Sequence, residues 1–84
     1  MNTVKLSNVS LPAMRAVILS QGYAYSHTRG DHEVYVKPGA LRPFTLPCSK
    51  SPVAEYIVKN FQRDNGISRK DFTALIAAAN KGRL

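Results

Sequence analysis

The sequence predicts an α+β domain in the order α-β-β-β-α-α, a three-stranded antiparallel sheet with helices on one face. Apolar residues recur at helical spacing towards both ends of the chain, the middle alternates as strands do, and Gly or Pro marks each change of period. At 84 residues the chain is read as one domain, 1–84, with a core over 10–67 and a C-terminal helix over about 68–81.

The first helix follows from Ser10 as N-cap with Pro12 in the first turn. Leu11, Met14, Val17 and Ile18 then share one face, and Gly22 stands where a helix of about three turns would stop. "YAYSH" (23–27) reads as a first strand, Thr28-Arg29-Gly30-Asp31 as a turn and "HEVYVK" (32–37) as a second strand. Pro38-Gly39 makes another turn. "PFTLPC" (43–48) is the third strand, its prolines favouring an edge.

Helical spacing resumes after Ser51-Pro52, with Val53, Tyr56, Ile57, Asn60 and Phe61 at three- and four-residue intervals. Asn65-Gly66 ends that helix, and Ile67 supplies an apolar contact past its end. Ser68 with Asp71 resembles a capping box for a third helix, whose face of Phe72, Leu75, Ile76 and Ala79 needs cover. Packing back on the domain's own core is the expected cover. A homodimer contact or a docked partner is the alternative.

Twelve Lys and Arg against five Asp and Glu give a net charge of +7. Residues 1–50 carry six basic and two acidic side chains and residues 51–84 six and three, so the charge belongs to the whole surface. Nucleic acid is the natural partner of such a surface, and ordinary solubility is the competing explanation. A single cysteine, Cys48, forms no intramolecular disulfide, which with the lack of an opening leader pattern predicts a cytoplasmic protein. No apolar run is long enough for a membrane span, and one Cys with two His gives no metal-site spacing, so neither membrane, metal nor cofactor is expected.

Gly22-Tyr23, Arg29-Gly30-Asp31-His32, Pro47 and "VKNFQRDNGISRKDF" (58–72) stand in an order that resembles the HicA toxins, also called YcfA-like mRNA interferases. The likeness spans roughly two-thirds of the chain. It implies a double-stranded-RNA-binding-like fold and a metal-independent endoribonuclease toxin of a bacterial type II toxin–antitoxin system, which cleaves mRNA and so inhibits translation. It further implies a HicB-like antitoxin that covers the active site. In this reading His32 matches the catalytic histidine. Two departures stand out: Asp31 replaces the usual Ser, and Ser49 replaces a frequent second His. If the side chains of Asp31 and His32 approach, the carboxylate favours the protonated ring.

The chemistry suits these residue types. RNA brings its own nucleophile, the 2′-hydroxyl, so the enzyme needs a proton acceptor, a proton donor for the departing 5′-oxygen, and cations about the phosphorus. Histidine titrates near neutrality and serves either proton role. Arg29, Lys37, Arg42 and Lys50 are the candidate phosphate-binding cations, Arg29 first because it lies inside the turn, three residues before His32. A turn over 28–31 would also place His27 opposite His32, with Cβ atoms about 5 Å apart, as a second acid or base.

Each residue has an ordinary reading as well. By strand parity His32 lies with Val34 and Val36 and can pack at the rim of the core. Tyr23 and Tyr25 can stack on bases or fill the core. Lys59 and Arg63 can follow a phosphate backbone or only face water. The functional alternative is a non-catalytic RNA-binding module on the same fold.

Overall fold

A computed structural model describes residues 6–84 and shows a small α+β domain with the expected order of elements. Helix α1 spans Leu11–Ser20, strands β1, β2 and β3 span Ala24–Arg29, His32–Val36 and Phe44–Pro47, and helices α2 and α3 span Glu55–Asp64 and Arg69–Asn80. A short 3-10 turn at Leu6–Asn8 precedes α1. The sheet is an antiparallel meander with β2 in the centre, flanked by helices in a double-stranded-RNA-binding-like arrangement with an added C-terminal helix.

The caps are those the sequence supplies. The Ser10 hydroxyl accepts the Ala13 N–H at 3.2 Å, and the Ser68 hydroxyl accepts the Asp71 N–H at 3.1 Å. Each satisfies a donor that the helix leaves unpaired at its start. Helix α2 lacks such a cap, because Ala54 occupies the position. It therefore begins later than spacing suggests: Val53 pairs with Val9 in an isolated bridge instead of joining the helix.

The core lies between the sheet and the helices, and Phe61 is its hub. Its ring stands 5.4 Å from that of Tyr23, 4.9 Å edge-on from Phe44 and 6.4 Å from Phe72, joining the sheet to α3 through α2. Met14, Val17 and Ile18 of α1 and Phe72 and Ile76 of α3 are buried with it. Helix α3 packs against α1, so this chain supplies cover for the buried part of its apolar face. On α2 the buried residues are Val58 and Phe61, while Tyr56 is 65% exposed. The spacing argument placed Tyr56 in the core face; the helix is turned so that Val58 takes that place.

The two hairpins follow from their turn residues. Arg29 and His32 are paired, so the first loop is only Gly30-Asp31 and not the four residues 28–31. Gly30 has a φ of +63° and Asp31 does not follow it there, the pattern of a two-residue turn with Gly first. In the second loop the Ala40 N–H donates to the Lys37 carbonyl at 3.1 Å, with Gly39 at φ +83° after Pro38. Pro then Gly is what such a turn requires.

Candidate functional site

Strand β2 sorts its side chains between two faces. Tyr35 is 3% exposed beneath the helices, and Glu33 shares that side, whereas His32 and Val36 are exposed on the other. The parity grouping of His32 with Val34 and Val36 is right, but this is the open face and not the rim of the core. Glu33 explains the choice of side. Arg15 of α1 grips its carboxylate through Nε at 3.0 Å and Nη2 at 2.7 Å, and the Tyr35 hydroxyl donates to it at 2.8 Å. A carboxylate can lie under a helix only when it is neutralised in this way.

The hydrogen bond from Arg15 is the main reason that the Glu33 carboxyl sits below its ordinary range. Burial opposes that lowering and the Tyr35 hydroxyl adds to it. Tyr35 in turn is pushed up to about 12, first by burial and then by its hydrogen bond to Glu33. This network fixes β2 against α1 and leaves the open face without the one carboxylate that the strands carry.

On that face the register corrects one expectation. His27 is paired with Val34 and not with His32; the partner of His32 across the hairpin is Arg29. Two causes combine. The tight Gly30-Asp31 turn pairs residues 29 and 32, and an irregularity between Tyr25 and His27 makes Ser26 an extra residue. The bulge lets Tyr25 stay beside Tyr35, with ring centroids 5.8 Å apart, while His27 joins the open face. His27 and His32 are therefore diagonal neighbours on one face, about 7–8 Å apart and somewhat closer between Cβ atoms. Periodicity could not have revealed this, because a bulge shifts parity by one residue.

Both rings are held at Nδ1. The Asp31 carboxylate lies 2.8 Å from His32 Nδ1, so the approach of these neighbours that the sequence left open does occur. The Ser26 hydroxyl lies 3.0 Å from His27 Nδ1. The His32 side chain is 49% exposed. The turn behind it is fixed from β3: the Cys48 N–H donates to the Asp31 carbonyl at 2.7 Å and its thiol reaches the same oxygen at 3.1 Å. Partly buried Cys48 thus packs and donates hydrogen bonds.

The four candidate cations divide between the two ends of the sheet. Arg29 opposes His32, and Lys50 follows the end of β3, where Pro47 pairs with His32. Lys37 is five residues along β2 from His32, about 16 Å by strand rise. It belongs with Arg42 to a cleft of about 680 Å³ that Tyr23, Phe44, Asp64 and Asn65 also line. There the Lys37 amine sits 5.4 Å from the centre of the Tyr23 ring and donates to Asn65 Oδ1 at 3.4 Å, while Arg42 comes within 3.9 Å of Asp64. Tyr23 is a buried core residue, and Tyr25 is 54% exposed. On α2, Lys59 pairs with Glu55 at 2.8 Å and Arg63 donates to Asn60 at 2.7 Å.

Among the described residues, no group of three His, Cys, Asp or Glu side chains could hold a metal ion, and no helix is long and apolar enough to cross a membrane. In comparisons with family models, curated proteins and solved structures, none matched the chain.

Proposed function

We propose that this domain binds RNA, with the turn end of the open sheet face as part of its contact surface. The observation that carries the reading is the sorting of charge on a double-stranded-RNA-binding-like scaffold. Glu33 is turned away and neutralised by Arg15, while Arg29 and two imidazoles face outward. Contacts to phosphates and 2′-hydroxyls across a minor groove suit such a surface better than base readout. Binding of duplex RNA, measured by fluorescence anisotropy over a range of salt, tests it: affinity should fall steeply and log-linearly as salt rises. No binding at low salt would remove the reading.

A specific observation favours a second reading, in which the bound RNA is also cut. His32 is half-exposed, its Nδ1 is engaged by Asp31, and a guanidinium stands opposite it across the hairpin. Nε2 is then the ring atom available to take the 2′-hydroxyl proton, and Arg29 is placed to meet charge gathering on the phosphoryl oxygens. This fits a metal-independent endoribonuclease toxin acting on mRNA, silenced by an antitoxin protein that covers His32. Expression in bacteria should arrest growth, and His32→Ala should relieve the arrest with RNA binding intact. Equal toxicity of wild type and variant would leave RNA binding alone.

A further inference from the structure

The two imidazoles of the open face form a set with Arg29. His27 and Arg29 are two residues apart on β1 and beyond the bulge, so they share a face, and Arg29 is the direct partner of His32. The three side chains occupy three corners of one rectangle of the ladder, with Val34 at the fourth. Each ring is engaged at Nδ1 by the residue immediately before it in the chain, Ser26 for His27 and Asp31 for His32. Among the described residues neither Nε2 atom takes part in a side-chain hydrogen bond, so both are open towards a ligand lying on the face.

We propose that His27 is a second catalytic residue, the general acid for the departing 5′-oxygen, with His32 as the base. The proposal rests on the cleavage reading above. The 2′-oxygen attacks phosphorus and forms the O2′–P bond as the P–O5′ bond breaks, and the 2′ proton passes to Nε2 of His32. A proton on Nε2 of His27 passes to O5′. The products are a 2′,3′-cyclic phosphate and a 5′-hydroxyl, and proton exchange with water restores the starting charge on both rings.

The neighbours decide which ring does which. The Asp31 carboxylate lies 2.8 Å from Nδ1 of His32, an acceptor that suits the tautomer with its proton on Nδ1 and its lone pair on Nε2. Ser26 offers His27 a neutral hydroxyl. Asp31 and Ser26 are thus positioning residues. In-line displacement puts the attacking and leaving oxygens on opposite sides of phosphorus, so two groups on a diagonal serve it better than one.

The test uses a linkage that the wild type cuts, made once with its normal 5′-oxygen and once with a bridging 5′-sulfur, which leaves as a thiolate without protonation. His27→Ala should slow the oxygen linkage by about 100-fold or more and cut the sulfur linkage within a few-fold of wild type. His32→Ala should be slow on both. An equal loss by His27→Ala on both linkages, or none on the oxygen linkage, overturns the proposal. The same RNA with a 2′-deoxy residue at that linkage, titrated against wild type and His27→Ala, sets the saturating concentration at which both rates are read, so that a change in affinity does not enter the comparison. A wild type that cuts no RNA defeats the cleavage reading itself, an outcome distinct from failure of His27 alone.

Discussion

Arg29 and His32 are direct partners across the β1–β2 ladder, where the hairpin closes on Gly30 and Asp31. A cation and an imidazole are thereby held side by side by backbone pairing, on the face of the sheet turned away from the helices. Lys37 and Arg42 belong to the far end of the same strands.

That separation predicts different phenotypes. On the cleavage reading, Arg29→Ala should reduce cleavage of a bound RNA by about 10²-fold, the usual consequence of removing one group that stabilises developing charge. Lys37→Ala, whose amine is turned to Tyr23 and Asn65, should leave both the single-turnover rate and the salt slope of RNA binding near wild type. Single-turnover cleavage beside anisotropy titrations checks both.

Deleting Ser26 should keep the fold, because Tyr25 and His27 already pair with Tyr35 and Val34, and neighbouring residues of a regular strand point to opposite faces. What goes is the irregularity of an exposed edge strand. Irregular edges resist pairing with a second chain, so the deletion variant should self-associate more than wild type in sedimentation velocity at equal concentration.

The Arg15–Glu33–Tyr35 network should show in acid stability. Glu33→Gln should cost about 1–2 kcal/mol at pH 7, the low end for a charge-assisted hydrogen bond because Arg15 is 39% exposed. The folded carboxyl lies below its ordinary value, so its contribution is complete above the unfolded value of about 4.3. It is lost as pH falls through the lower folded value. Urea midpoints of wild type and variant should therefore differ at neutrality, begin to draw together below the ordinary carboxylate value, and converge only as pH falls through the lower folded one.

Tyr35 gives the opposite limb. Its phenol is raised to about 12, so its share of stability is intact below the ordinary value of about 10 and disappears as pH climbs through 12. A phenolate absorbance titration should contain a component near 12 that Tyr35→Phe removes.

Helix α3 is a structural part of the core. Phe72 is fully buried, and Phe72→Ala should cost about 3–5 kcal/mol in chemical denaturation. Tyr56→Ser on the exposed side of α2 should change stability by less than about 0.5 kcal/mol.

The sequence by itself determined the order of elements, the two hairpins and the apolar faces of α1 and α3. Those signals are local: Ser10 and Ser68 cap the helices beside them, Gly30 and Pro38-Gly39 turn the chain where they stand, and apolar spacing follows the period of each element. The tertiary structure alone decided which side of β2 faces water, because that depended on Arg15 reaching Glu33 from another element. It alone decided the partners of His27 and His32, because the length of the turn and the extra residue at Ser26 together set the register. The same holds for α2, whose buried side was chosen by where Phe44 and Phe72 left room for Phe61. Periodicity names the residues of a face; only packing against distant parts of the chain says what that face meets.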